Sequence, residues 1–228
     1  SQDPNSPKVP VIPHIPGTTP QVPKDPTKPV DPNTNPLVPL TPVDPKDPTK
    51  GYVVPNIPTD PSQDTVINYV ANKAKLVVKY VDENGKELKS TETTKGKVGD
   101  EYTTEGKVID GYVLVRVEGE AKGKIGKDGS TVTYVYKPLG SWVPNIPGQP
   151  TNPIKYPNDP TDPGKPGKPV VPDVPGYKPY LPDPKDPTKP GQPVEPGTPV
   201  TPDKPGEDTP IIYRKADQKA TIKYVDQN

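Results

Sequence analysis

The chain has 228 residues, of which 41 are Pro and 19 are Gly, and this composition excludes one uniform globular fold. Its 29 basic and 29 acidic residues balance without long runs of like charge, which argues against binding to nucleic acid or to an anionic membrane. Cys is absent, so disulfides and thiolate metal sites are excluded, and no apolar stretch has the length of a membrane-inserted helix.

Residues 1–63 are rich in proline, and most of the intervals between prolines are three residues. Three residues make one turn of polyproline II, and Pro restricts both itself and the residue before it to extended conformations. We therefore predict a semi-rigid linker or stalk over 1–63, with solvated segments such as Lys24-Asp-Pro-Thr-Lys28 between prolines. A PxxP ligand for an SH3-type groove has the same spacing, but a repeated spacer explains the pattern at every position. His14, the only histidine, is expected to be a solvated linker residue.

Residues 64–139 are predicted to form one compact domain, because residues 62–137 contain no proline and the segment is richer in apolar residues than its flanks. Apolar residues alternate over 76–81, which predicts a strand, and Asp82-Glu-Asn-Gly85 then favours a tight hairpin turn. A second strand is predicted from Lys86 to Thr94. Asp100 is a candidate N-cap for one short helix over 99–104.

Two further strands are expected in the same domain. The first runs from Lys107 to Glu118 with a break at Asp110-Gly111, and the second covers 130–136 after a turn at 127–129. Together these elements predict a mostly β or α+β fold.

Residues 140–207 repeat the proline spacing of the N-terminal flank and are predicted to be a second Pro-rich linker or stalk. The segment Val54-Pro-Asn-Ile-Pro58 recurs as Val143-Pro-Asn-Ile-Pro147, each after an aromatic residue, so we expect docking collars at both ends of the domain.

The last residues resemble the start of the domain. Asp64-Thr-Val-Ile-Asn-Tyr69 matches Asp208-Thr-Pro-Ile-Ile-Tyr213 at an offset of 144 residues, which indicates a tandem array. We interpret 208–228 as the truncated start of a second repeat and expect it to be poorly ordered, because a strand without its sheet cannot bury its apolar face.

The domain contains four motifs of a known family, in the family's order. These are Val77-Val-Lys-Tyr-Val-Asp-Glu-Asn-Gly-Lys86, Lys95-Gly-Lys-Val-Gly-Asp-Glu-Tyr-Thr-Thr104, Ile109-Asp-Gly-Tyr112 and Val132-Thr-Tyr-Val-Tyr136. Residues 74–137 thus resemble the MucBP (mucin-binding protein) domain of Gram-positive surface adhesins. The resemblance implies a ubiquitin-like β-grasp fold, an extracellular and cell-wall-anchored protein, and host mucin glycans or glycoproteins as partners. No LPxTG motif is present, so anchoring would depend on parts outside this segment.

No set of residues predicts catalysis, a cofactor or a metal site, and we expect no enzymatic activity. One histidine cannot supply a catalytic triad or a His cluster that binds a metal. The oxygen-bearing side chains at 82–84 are explained better by an Asn-Gly hairpin turn than by a calcium site. Tyr102, Tyr112 and Trp142 are the candidate ligand-binding residues, since sugar faces stack on exposed aromatic rings. Most other tyrosines are expected in the core, because Phe is absent.

Three functions remain open. The first is an adhesin repeat that binds mucin or glycoprotein weakly and gains avidity from many copies. The second is a structural spacer that projects a distal binding domain. The third is capture of immunoglobulin or a matrix protein by an exposed sheet edge. Intramolecular Lys-Asn isopeptide bonds would stiffen such a domain, but no signature for them is present.

Overall fold

The computed structural model describes residues 10–56, 64–217 and 220–223, and these contain no α-helix. Apart from a single 3₁₀ turn at Pro48–Lys50, their regular structure is β. In chain order the strands are β1 (Val11–Ile12), β2 (Thr18–Pro23), β3 (Leu37–Pro39), β4 (Tyr52–Val53), β5 (Asn68–Ala71), β6 (Lys73–Asp82), β7 (Glu87–Lys97), β8 (Glu101–Thr103), β9 (Tyr112–Glu118), β10 (Lys122–Lys124), β11 (Ser130–Pro138), β12 (Ser141–Asn145), β13 (Ile154–Lys155), β14 (Tyr177–Asp183), β15 (Asp186–Pro193) and β16 (Thr209–Lys215).

The chain divides into two compact units. The first comprises Ser1–Val78, Glu92–Thr104 and Gly119–Val132, and the second comprises Lys79–Thr91, Glu105–Glu118 and Thr133–Asn228. Each unit contains one Pro-rich β-module. We call strands β1 to β5 the first Pro-rich module and strands β12 to β16 the second.

The first Pro-rich module is a folded structure rather than the predicted rod. Its sheet has the order β3-β2-β5, beside a β1-β4 pair. Val22, Leu40 and Tyr52, which lie between prolines, form its buried core. The rod prediction is wrong because extended φ angles suit a β-strand as well as polyproline II, and a proline at every third position leaves two N–H groups in three for pairing. His14 is accordingly half-buried and stacks on Tyr52, with 6.4 Å between ring centroids, so its expected full solvation is also wrong.

The Asp-Pro-Thr-Lys segment at 25–28 forms a turn, and the copy at 186–189 begins strand β15 with the same side-chain contacts. Asp25 Oδ1 accepts hydrogen bonds from the backbone N (3.0 Å) and the Oγ1 (2.6 Å) of Thr27, and the Asp186 carboxylate accepts the same pair from Thr188. The lysine that follows lies 3.2 Å from the carboxylate in the first case and 3.0 Å in the second. Pro favours the second position of such a turn and Asp mimics the backbone carbonyl, so the segment at 25–28 reverses the chain.

The second Pro-rich module is a five-stranded sheet of order β13-β12-β16-β14-β15. The predicted stalk over 140–207 is therefore also wrong, because the extended backbone that proline favours suits a β-strand as well as polyproline II. Strand β16 lies within this sheet, and its Ile211 and Tyr213 are 0% and 1% exposed. The expected disorder of 208–228 is therefore wrong for β16, because the Pro-rich segment supplies the missing sheet. Residues 218–219 and 224–228 lie outside the described residues.

The two modules pair their strands in one register. In the first, Thr18 lies opposite Ala71 and Pro20 opposite Tyr69, and in the second Tyr177 lies opposite Lys215 and Pro179 opposite Tyr213. The hydrogen bond just beyond the last residue pair also corresponds. Asn72 N donates to Gly17 O in the first module and Ala216 N donates to Gly176 O in the second, both at 2.9 Å. The sequence repeat is thus a repeat of this module, and Asn68–Ala71, expected at the start of the domain, belongs to the sheet of β2.

Between the modules in sequence, residues 73–138 form a four-stranded sheet of order β7-β6-β11-β9. Strands β6, β7 and β11 confirm those predicted, whereas the strand predicted from Lys107 begins only at Tyr112. Gly85, with φ 82°, makes the hairpin turn between β6 and β7. The predicted helix over 99–104 is wrong. Glu101–Thr103 is strand β8, paired with β10, and Asp100 Oδ2 accepts a hydrogen bond from Lys97 N instead of capping a helix. The helix that a β-grasp fold implies is thus absent from the described residues.

Candidate functional site

Tyr102 lies on the short β8–β10 ribbon of the first unit and is half-buried. Its hydroxyl donates a 2.9 Å hydrogen bond to the carbonyl of Glu120. The residue directly opposite is Gly123, which has no side chain to compete for the ring. Tyr102 therefore keeps a partly exposed aromatic ring in a defined orientation.

Tyr112 lies at the start of β9 in the second unit and is also half-buried. The turn before it is held by Asn158 of the second Pro-rich module. Asn158 Oδ1 accepts from Gly111 N at 2.7 Å, and its Nδ2 donates to the carbonyls of Ile109 (2.9 Å) and Tyr112 (3.0 Å). This clamp fixes the backbone of Tyr112.

Trp142 is 1% exposed, so neither face of its indole is free for a sugar. The ring packs edge-on against Tyr156, with centroids 5.1 Å apart, in a core shared with Leu139 and Ile211. Trp142 is thus a core residue of strand β12, which is a correction to its candidacy as a sugar-stacking residue. Its Nε1 has no hydrogen-bond partner among the described residues.

A cavity of about 500 Å³ lies in the second Pro-rich module, beside Trp142. Its lining includes both proline rings and carboxylates. Lys204 also lines it and forms a 3.5 Å ion pair with Glu207. Pyrrolidine rings offer apolar surface, and carboxylates accept hydrogen bonds from hydroxyls, so the lining suits a polar ligand with apolar faces. The principal lining residues are Pro182, Asp183, Pro202, Asp203, Glu207 and Asp208.

The remaining tyrosines of the four-stranded sheet are core residues, as expected. Tyr80, Tyr134 and Tyr136 are 1%, 2% and 0% exposed, and the first two rings stack with 5.7 Å between centroids. Tyr136 OH donates to Lys107 O at 2.7 Å and accepts from Lys107 N at 2.9 Å. Burial raises the pKa of Tyr136, because the phenolate would lose its hydration.

Within residues 10–56, 64–217 and 220–223, no cluster of three or more acidic, His or Cys side chains could hold a metal ion. Asp82, considered above for calcium, accepts hydrogen bonds from Asn84 N and Lys86 N, each at 2.9 Å, within the hairpin turn. No helix in this part of the chain has the length and apolarity to cross a membrane.

Residues 75–137 match the MucBP domain. The chain is 45% identical over 69 residues to internalin J of Listeria monocytogenes, which is 30% of this chain and 8% of the relative. It is 41% identical over 91 residues to the muramidase-released protein of Streptococcus suis (35% and 7%), and 42% identical over 62 residues to internalin I of L. monocytogenes (27% and 3%).

The chain therefore spans less than a tenth of the length of these relatives. Of the three predicted site residues, Tyr112 and Trp142 fall in the second unit and Tyr102 in the first. The cavity and the Asn158 clamp were not predicted. Their residues are far apart in sequence and lie between prolines, so no local pattern marked them.

Proposed function

We propose that this chain is a non-enzymatic repeat of a bacterial surface adhesin that binds host mucin or another glycoprotein. The observation that carries the proposal is the match of residues 75–137 to the MucBP domain. The similarity to internalins J and I and to the muramidase-released protein supports an extracellular location, with cell-wall anchoring through parts outside this segment.

We propose Tyr102, in the first unit, and Tyr112, in the second, as two separate ligand contacts of the MucBP domain. Both rings are half-buried, so each combines a fixed orientation with an accessible face. Tyr102 is held by its hydroxyl and Tyr112 by its clamped backbone. Rings fixed in advance lose little conformational entropy when a sugar stacks on them.

The test is binding of the 228-residue chain to immobilised mucin before and after periodate oxidation of the glycans. A glycan adhesin loses binding after periodate, whereas a protein ligand survives it. Tyr102→Ala and Tyr112→Ala should each weaken binding about tenfold, as expected for loss of one stacked ring. Tyr180→Ala, at a half-buried tyrosine of the second Pro-rich module, is the matched control. Unchanged affinity in either variant would contradict the ligand contact proposed at that tyrosine.

A structural spacer is the second candidate, and one observation favours it. In each unit a Pro-rich module is hydrogen-bonded to MucBP residues: Val98 N donates to Asn72 O at 2.9 Å in the first, and Leu114 N donates to Pro163 O at 2.7 Å in the second. Such fixed junctions suit the projection of a distal domain. Failure of the chain to bind mucin, even when two copies are fused in tandem to add avidity, would favour this function.

A protein partner held at a sheet edge is the third candidate. Strand β7 is an edge strand of the MucBP sheet, and most of its residues are exposed. Its unpaired side would allow an immunoglobulin or matrix protein to add a strand. Binding that survives periodate would support this candidate.

A further inference from the structure

The two Pro-rich modules differ at one edge of their sheets. In the second, β12 runs parallel to β16, with Trp142 opposite Thr209 and Asn145 opposite Ile212. In the first, β5 pairs with β2 and, among the residues that the structure describes, with no strand on its other side. Strand β16 begins at Thr209, whereas β5 begins only at Asn68, three residues after the counterpart of Thr209.

The residues that hold β12 in the second module recur in the first. Asp208 Oδ1 accepts a 2.9 Å hydrogen bond from the backbone N of Ser141, and Ile211 is fully buried under the added strand. Their counterparts at the offset of 144 residues are Asp64 and Ile67. In the first module Ile67 is only partly buried, and its neighbour Val66 is 71% exposed. The first module thus carries the recognition residues without the strand.

The backbone of β5 also has groups oriented toward the open edge. Pro20 lies opposite Tyr69 and has no N–H, while its carbonyl accepts from Leu40 N at 2.9 Å on the β3 side. Tyr69 is therefore at a non-hydrogen-bonded position relative to β2. In an antiparallel pair, hydrogen-bonded and non-hydrogen-bonded residue pairs alternate along the strand. The N–H groups of Ile67 and Tyr69 consequently point away from β2, toward the edge where a further strand would pair.

We propose that the edge formed by residues 64–69 is a strand-acceptor site. Its occupant is the Gly140–Asn145 segment of another copy of this repeat, added parallel to β5 as β12 is added to β16. The segment suits the site because Gly140 approaches the backbone of Glu207 too closely for any Cβ, and Ser141 donates its N–H to the carboxylate. In the second module the Gly140–Asn145 segment fills the equivalent edge. The site would therefore join one repeat to the next.

The probe is a synthetic peptide with the sequence of residues 139–147, titrated into the 228-residue chain with amide hydrogen exchange followed by NMR. Saturable binding should slow exchange at Ile67 and Tyr69 at least tenfold. Exchange at Asn68 and Val70, which already face β2, should change little. This alternation distinguishes strand addition from nonspecific adhesion. A peptide of scrambled order should leave all four amides unchanged.

Variants of the acceptor edge test the register. Asp64→Asn should weaken peptide binding about threefold to tenfold, because a neutral amide oxygen replaces a charged acceptor. Asp128→Asn, at a side chain 86% exposed in the same unit, is the matched control. Val66→Pro should bind as well as the wild type, since the corresponding Pro210 lies opposite Val143 in the second module.

Three results would overturn the proposal. The first is the absence of saturable binding. The second is protection confined to Ile211 and Tyr213, which would show exchange of the peptide with β12 in the second module. The third is equal affinity of the Asp64→Asn and wild-type chains. None of these results bears on glycan binding by the MucBP domain, which the mucin experiment tests independently.

Discussion

At the scale of single residues, two asparagine side chains take the place of backbone pairing in the Pro-rich modules. Asn35 is 4% exposed, and its Oδ1 accepts from Asp25 N at 2.7 Å. Its Nδ2 donates to the carbonyls of Asp25, Lys28 and Pro29. Asn158 makes three such bonds to the turn at 109–112. Proline has no backbone N–H to donate. An asparagine side chain has N–H donors and an acceptor oxygen, so it can make hydrogen bonds that a proline-rich backbone cannot.

Asn158→Ala should destabilise the second unit by about 2–3 kcal/mol, because three hydrogen bonds are lost and each contributes on the order of 1 kcal/mol. The measurement is urea unfolding followed by circular dichroism. Asn152→Ala removes an exposed asparagine from the loop before β13 and should change stability by less than about 0.5 kcal/mol. Equal stability of the two variants would show that the clamp does not hold the turn.

Thr188→Val should raise the pKa of Asp186 toward its ordinary value of 3.8. The Thr188 hydroxyl is the main cause of the lowered pKa, ahead of the hydrogen bonds from Lys189 and from the Thr188 backbone. Thr188→Ser keeps the hydroxyl and should keep the pKa lowered. Carboxyl ¹³C chemical shifts followed through a pH titration measure both values, and an unchanged pKa in the valine variant would remove the hydroxyl as the cause.

The lowered pKa values also set the acid response of the turns. The pKa values of Asp25 and Asp159 are lowered as well, with hydrogen bonds from Thr27 and Thr161 as the largest causes. A carboxyl whose folded pKa is lowered stabilises the fold fully above the unfolded pKa, and that stabilisation is lost as pH falls through the folded pKa. We therefore expect these turns to loosen only below about pH 4, observable as faster amide exchange at Thr27 and Thr161.

At the scale of elements, the four long strands of the MucBP domain could be predicted from strand-forming residues and turn residues, whereas the short β8 and β10 could not. The sequence predicts the β6–β7 hairpin because apolar residues alternate over 76–81 and an Asn-Gly turn follows, and the structure confirms it with φ 82° at Gly85. The helix over 99–104 is mispredicted because Asp100 is a good cap by type. Only the pairing of Gly123 with Tyr102 shows that these residues belong to a ribbon.

The parallel pairing of β12 with β16 depends on the absence of one side chain. A Cβ at Gly140 would overlap the carbonyl oxygen of Glu207. Gly140→Ala should therefore destabilise the second Pro-rich module by about 1–3 kcal/mol, the usual range for overpacking. Gly123→Ala is the control, since its nearest neighbour would be the Tyr102 hydroxyl at 3.6 Å. Thermal unfolding of both variants gives the comparison, and similar midpoints would contradict the steric argument.

At the scale of the whole molecule, the repeat consists of a Pro-rich β-module followed by a MucBP domain. Strand β16 completes the second module, and its burial raises the pKa of Tyr213 to about 12. The Tyr213 hydroxyl donates a 2.6 Å hydrogen bond to Pro172 O, as Tyr69 does to Pro13 O at 2.8 Å. The corresponding tyrosine thus holds the segment that precedes β2 in the first module and β14 in the second.

Truncation after Glu207 should unfold the second Pro-rich module, because it removes β16 from within the sheet. Trp142 is the only tryptophan of the chain and is buried there, so its fluorescence should shift to longer wavelength. Truncation after Asp217 keeps β16 and should leave the emission unchanged. A buried Trp142 in the shorter chain would show that β16 is dispensable.

The sequence by itself determined the MucBP domain, its hairpin turns and the repeat at 144 residues, because each depends on neighbours in the chain. Alternation, Asn-Gly turns and motif order are local properties. The candidate residues Tyr102 and Tyr112 also came from sequence, and their roles as ligand contacts remain predictions.

Only the tertiary structure decided that the Pro-rich segments fold. Their extended residues are compatible with an isolated polyproline helix and with a sheet, and the choice depends on partners distant in the chain, such as Pro179 opposite Tyr213. The burial of Trp142, the Asn158 clamp and the open edge of β5 follow from the same long-range pairing. A three-residue proline period specifies extended backbone, whereas the partner strand that decides between rod and sheet is supplied from elsewhere in the fold.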